Sequence, residues 1–229
     1  QSSRDDDPNA EWKAYPIVSA DDQPINAQID LGVNGYWVVN KEMENPEALL
    51  KLMDFWLQTF YFTTDDSVYE TYVYPPDSNN EIWQNATAQI HRSFKNLDLH
   101  LALKEVIESE SEDTSGLTPE GRDVYNKIMN FYDGEQSVWA WDVIFGPDGS
   151  MGVIEEYQEN ESYQQNKFYA APFGTMVQRN STLTQMQEEV FTNIIRGESI
   201  DSFDKYVEDW KNLGGDDITQ EINEWYEKQ

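Results

Sequence analysis

The sequence predicts a mixed α and β chain, rich in helix and carrying one small sheet. Apolar residues recur at steps of three and four over several stretches, as in Phe203, Val207, Trp210 and Leu213. Capping and breaking residues such as Asn45-Pro46, Thr118-Pro119 and Gly214-Gly215 bracket those stretches. Short aromatic and β-branched runs, Trp12 to Val18 and Gly35 to Asn40, stand apart from them and supply the strands.

Residues 1–10 are polar, acidic and closed by Pro8, which predicts a disordered tail ahead of a body spanning 11–229. They hold no initiator Met and no apolar signal core, so any targeting segment is expected outside the chain. A strand over Trp12 to Val18 leads into a polar loop, Ser19 to Asp30, and a buried strand follows over Gly35 to Asn40. Asn45 then caps a helix with Pro46 at its first position, where a missing N–H costs nothing. Leu49, Leu50, Met53, Trp56, Leu57 and Phe60 give that helix a broad apolar face.

Thr63 to Asn80, with Pro75-Pro76, reads as a long irregular connection of the kind that often carries function. Glu81 to Glu108 predicts a helix broken near Asn96, its stripe formed by Ile82, Ala86, Ile90 and Phe94. The acidic run 108–117 reads as a solvated linker. A short helix capped by Thr118 buries Val124, Ile128 and Tyr132. Ser137 to Phe145 is either a strand buried on both faces or a helix in a tight site, since its alternation does not separate apolar from polar. Gly146-Pro-Asp-Gly149 is a turn, and Glu155 to Lys167 reads as polar and exposed.

Near the C-terminus, Leu183 to Gly197 is a helix, and two more follow around a punctuated turn. Gly214-Gly215 supplies a left-handed stop, and Asp216 or Asp217 offers an oxygen to the free N–H groups of the last helix. There Ile218, Ile222, Trp225 and Tyr226 share one face.

The charge balance excludes several classes of function. The chain has 229 residues, and 44 acidic against 15 basic side chains give a net charge of −29. Phosphate contacts are made by Lys and Arg, so nucleic acid is set aside as a partner. The same field opposes anionic membranes and anionic substrates and favours a neutral or cationic ligand. With no cysteine there is no disulfide, thiol nucleophile or thiolate metal site. No apolar run approaches the length of a membrane span.

His91 and His100 lack zinc-ligand spacing and read as surface or helix-edge residues. No calcium loop, phosphate-cradling glycine loop or Gly-x-Ser-x-Gly elbow occurs, so no metal or cofactor is expected. Adjacent acids such as Glu155-Glu156, Glu188-Glu189 and Asp216-Asp217 lack any motif context for catalysis in a chain this acidic. Aromatic residues make up 14% of the chain, with 8 Trp and 13 Tyr. Such rings stack on the C–H faces of sugars, although most fall at core spacing.

Several segments carry a family resemblance: Phe173-Gly-Thr-Met176, Glu188 to Gly197, Phe203 to Trp210, Leu213-Gly-Gly215 and Ile222 to Tyr226, with Gly35 to Lys41 and Asn45 to Leu50 upstream. Together they resemble the C-terminal half of bacterial extracellular solute-binding proteins of family 1, the lipoprotein class that serves oligosaccharide ABC importers. The resemblance spans most of this chain but only part of a family member. It implies a bilobal periplasmic-binding-protein fold of type II and non-catalytic capture of an oligosaccharide in a cleft. It also implies ABC transporter permease subunits as partners, an extracellular place on a bacterial surface, and a membrane link only through a lipid anchor outside this chain. The residues it places near a cleft are Asn34, Tyr36, Trp37, Trp139, Trp141, Asp142 and Phe173. Rings there would stack on sugar, with Asn34 or Asp142 taking hydroxyl hydrogen bonds; strand alternation lets only one of Tyr36 and Trp37 face a given side. The other readings are an acidic surface scaffold or protein-interaction module, and a glycoside-processing enzyme.

Overall fold

In the computed structural model the described residues are 2–19, 21, 23, 25–30, 32, 35–75 and 81–229. They form a helix-rich α and β protein with a two-stranded sheet, divided into two compact units, 1–165 and 166–229. The acidic run 108–117 connects two helices inside the first unit and marks no boundary between units.

The first unit is built on four helices: α4 (Lys95–Glu108), α5 (Pro119–Tyr132), α6 (Trp139–Phe145) and α7 (Met151–Glu159). Leu99 and Leu103 of α4, Leu117 just before α5, Val124 and Ile128 of α5 and Phe145 of α6 form its core, where Leu103 and Ile128 are fully buried. As the sequence predicts, Pro119 opens α5 and the Thr118 hydroxyl accepts from Gly121 N at 3.1 Å. That cap satisfies one of the donors a helix start leaves free. Tyr132, at the far end, is half exposed instead of buried.

Ser137 to Phe145 takes the helical alternative. Trp139 and Phe145 are buried, and Trp141 stacks on Phe145 one turn later at 6.1 Å, a contact that helical spacing brings together. The turn after it closes through Gly149 N donating to Gly146 O at 2.8 Å.

His100 corrects the surface expectation, since it is completely buried between α4, the end of α6 and α7. Its Nδ1 lies 3.1 Å from the Phe145 carbonyl and therefore carries a proton. Its Nε2 stands 3.5 Å from Glu155, which also receives the Lys104 ammonium at 2.8 Å. The sequence reads Glu155 to Lys167 as exposed and polar, but Glu155 is half-buried on α7, facing His100 and Lys104, and Tyr163–Gln165 forms a strand.

The sheet is not where the aromatic runs place it. Strands β1 (Ala27–Ile29) and β2 (Tyr163–Gln165) pair in parallel, with Gln28 opposite Gln164. The described parts of Trp12 to Val18 and Gly35 to Asn40 are irregular, with Tyr36 83% and Val38 89% exposed. Strand propensity needs a partner ladder and a covered face to act, and neither run has them. Residues 2–10, expected as a disordered tail, include the short helix α1 (Ser2–Asp6), whose Arg4 guanidinium lies 5.0 Å from the ring centre of Trp139.

Helix α2 (Glu47–Phe60) begins where expected, though Asn45 contributes its carbonyl to Ala48 N and not a side-chain cap. Only Trp56 of its apolar face is fully buried. The connection expected to be irregular contains α3 (Asp66–Tyr72), capped by Asp65 Oδ1 accepting from Ser67 N at 2.9 Å. Instead of one helix from Glu81, a short 3-10 turn (Ile82–Asn85) precedes an irregular run up to Phe94. Phe94 itself has φ +60°, a left-handed conformation that cannot continue a helix.

The second unit holds α8 (Gly174–Ile195), α9 (Asp201–Trp210) and α10 (Asp216–Tyr226), around Leu183, Tyr206 and Ile218. Helix α8 starts nine residues earlier than Leu183, because Glu221 of α10 receives Thr175 N and Oγ1, both at 2.9 Å. A carboxylate there meets the positive end of the helix. Between α9 and α10 the chain runs through a widened turn, Lys211–Gly215, kinked at Gly214 (φ +121°). A Cβ on Gly214 would stand 3.0 Å from Thr175, so the glycine admits α8 as well as the left-handed bend. No side chain of Asp216 or Asp217 caps α10.

Candidate functional site

The first unit contains a cavity of about 370 Å³ between α2, α3, the 3-10 turn, α4, α5 and α6. Its walls are mostly rings. Phe60 comes from α2, Tyr69 from α3, Tyr74 and Trp83 from the chain on either side of Glu81, and Trp141 and Phe145 from α6. Trp83 is fixed by its amide donating to the Val73 carbonyl at 3.3 Å, and its ring lies 6.5 Å from Phe60. Tyr74 meets Trp141 edge to face at 6.4 Å.

Two lysines at or behind the cavity wall each come with a ring and an opposite charge. The Lys95 ammonium pairs with Glu120 and lies 5.3 Å from the Phe60 ring centre. Behind the wall, Lys127 Nζ stands 2.7 Å from Asp123 and only 4.0 and 4.3 Å from the ring centres of Tyr74 and Trp141. The Tyr69 hydroxyl donates to the same Asp123 oxygen at 3.3 Å. This ammonium ties the chain just after α3 to α5 and α6 at one corner of the cavity through cation–π contact.

Burial pushes the Tyr69 hydroxyl far above its ordinary value, and the carboxylates of Asp123 and Glu120 push it further. Burial, then Glu81 and Asp123, also raise Tyr74. Both phenols therefore keep their protons and remain donors, and the local field is negative. His91 reaches the wall with its Nδ1 3.4 Å from the Tyr61 hydroxyl. The arrangement offers stacking faces and paired donors and acceptors.

A second, more apolar hollow of about 280 Å³ shares Phe60, Val73 and Trp83 with the first and is walled further by Leu52, Phe55 and Tyr72. Trp37 Nε1 donates to the Thr87 carbonyl on its rim at 3.0 Å.

Of the residues expected near a cleft, Trp141 lines the larger cavity, and Trp37 touches the rim of the smaller. Tyr36 projects into solvent, and Trp139 is 5% exposed, packed in the core under Arg4. Asp142 receives the Tyr132 hydroxyl at 2.6 Å. Phe173 belongs to the second unit, immediately before α8, with its ring 6.0 Å from Phe168. Asn34 lies outside the described residues. Sequence reasoning missed Tyr69, Tyr74, Glu81 and Trp83. The available signal was the density of tyrosines in the Thr63 to Asn80 connection, a long segment where side chains of functional loops collect.

Comparison with known protein families, with curated proteins and with solved structures found no match to this chain.

Proposed function

We propose that the chain captures an oligosaccharide without transforming it, as the binding component of a bacterial ABC importer. The observation that carries this reading is the cavity walled by Phe60, Tyr74, Trp83 and Trp141, with the protonated Tyr69 hydroxyl and the Asn96 amide among its lining residues. Sugars present flat C–H faces and rings of hydroxyls, which stacking platforms and a few placed polar groups satisfy together. The C-terminal segments that resemble solute-binding lipoproteins support the same reading. They extend it to a two-lobed parent of type II fold, permease partners and a lipid anchor beyond this chain. Titration of intrinsic tryptophan fluorescence with a panel of neutral oligosaccharides tests it. A saturable change that Trp141→Ala and Trp83→Ala both abolish is expected, and no response from any saccharide would refute the reading.

The acidic interaction-module reading draws on the exposed Leu52, Phe55 and Tyr72 of the smaller hollow, an apolar surface of the kind that partners cover. Under that reading saccharides leave the fluorescence unchanged, and Phe55→Asp alters self-association in sedimentation.

A further inference from the structure

We infer that the aromatic cavity prefers saccharides carrying a free amine, with Glu81 receiving the ammonium beside Trp83 and Tyr74. The inference rests on the saccharide reading of the same cavity and names the chemical class it would take.

Ammonium groups already sit at the cavity and behind its wall, and both are held in one way. Lys95 sits between the Glu120 carboxylate and the Phe60 ring. Lys127 sits between the Asp123 carboxylate and the rings of Tyr74 and Trp141. Glu81 is a further carboxylate at the same wall, half-buried, lining the cavity together with Trp83 and with Tyr74, whose hydroxyl feels its charge. It differs from the others in one respect. Its hydrogen-bond partner is the neutral Gln84 amide, and among the described residues no lysine, arginine or histidine pairs with it. Amide donation leaves the carboxylate charge in place, so the cavity presents one negative charge that its own residues do not compensate.

An amino sugar matches that remainder. Its pyranose face stacks on a ring as a neutral sugar does, while its ammonium supplies the charge that Lys95 and Lys127 supply to their own carboxylates. N-acetylation removes the charge and leaves the ring. A uronate brings a second anion into a field that is already negative, in a chain of net charge −29. The order of affinity should therefore be free amine, then neutral or N-acetylated, then uronate.

Isothermal titration at about pH 6, where an amine of ordinary basicity is protonated, compares four oligosaccharide sets. They are β-1,4-linked glucosamine oligomers, their N-acetylated counterparts, cello-oligosaccharides and oligogalacturonates, with spermidine as a cation lacking a sugar face. The expected result is at least about tenfold tighter binding of the glucosamine oligomers than of the N-acetylated set. Glu81→Gln should reduce that advantage to roughly threefold or less. Equal affinity for charged and neutral oligomers overturns the inference and leaves saccharide capture standing. So does an amine advantage that survives Glu81→Gln, since it would reflect the overall charge of the chain. Spermidine binding as tightly as the glucosamine oligomers, with the same dependence on Glu81, overturns the sugar component. Heat from none of the saccharides overturns both this inference and the reading beneath it.

Discussion

Replacing Lys127 by methionine removes one ammonium and keeps most of the stem, so its effect isolates the charge. In the folded chain that ammonium lies 4.0 Å from the Tyr74 ring centre, 4.3 Å from that of Trp141 and 2.7 Å from Asp123, with its side chain 17% exposed. Each cation–π contact contributes about 0.5–1 kcal/mol, and an i,i+4 pair of this kind adds about 0.3–0.5. Met also leaves Asp123 with the Tyr69 hydroxyl as its remaining side-chain partner among the described residues. Local stability should fall by about 1–2.5 kcal/mol, concentrated where Lys127 makes its contacts. Hydrogen exchange followed by mass spectrometry reads this directly, as faster exchange over 69–74 and 139–145. Lys127→Arg, which keeps the charge and still stacks on rings, should retain much of the protection. Exchange in Lys127→Met within about 0.3 kcal/mol of the unaltered chain at both segments would refute the claim that this ammonium holds the cavity wall.

Ile128→Ala removes a fully buried side chain from the core of the first unit and should cost about 2–5 kcal/mol in local exchange stability over α4 and α5. In contrast, Ile195→Ala, at a position 85% exposed, should stay within about 0.5 kcal/mol. The Lys104 hydrogen bond holds the Glu155 carboxyl below its ordinary value of 4.5, against the opposing effect of burial. A lowered carboxylate contributes stability that is present above its ordinary value and lost as pH falls through the folded-state value. The Glu155 bond correspondingly raises Lys104 above 10.5, so that contribution is present below 10.5 and lost as pH rises through the raised value. Glu155→Gln should therefore lower thermal stability at neutral pH and flatten its decline in acid, as differential scanning calorimetry at stepped pH would measure. Gly215→Ala would set a Cβ 2.1 Å from the Trp210 ring, forcing that large ring to move. Loss of about 1–3 kcal/mol over α9 and α10 by hydrogen exchange is expected, and an unchanged protection pattern would contradict the close packing there.

The elements the sequence fixes well are those whose causes are local. Thr118 with Pro119 starts α5 because the cap and the constrained φ act within one turn, and the apolar stripe through Val124 and Ile128 needs only helical spacing to share a face. Net charge is likewise legible, because it is a property of the chain and not of its folding. The fold class, helix-rich with a small sheet, follows from such signals added together. The resemblance at the C-terminus points to helix caps, stripes and a glycine turn, all of which describe scaffold and leave the ligand open.

Tertiary structure decided the remainder, wherever a residue's role depends on a partner far along the chain. Ala27–Ile29 becomes a strand because Tyr163–Gln165 lies beside it, while the stronger strand formers around Tyr36 have no ladder to join. His100 is buried because α6 and α7 close over it, and Glu221 sets the start of α8 from 46 residues away. Trp139 and Trp141 look alike in sequence, yet Trp139 enters the core under Arg4 while Trp141 faces Lys127 and the cavity. Ring type and spacing are written in the sequence. Which ring meets a ligand and which fills the core is set by the helices that pack around it, because packing is non-local and a ring serves either use equally well.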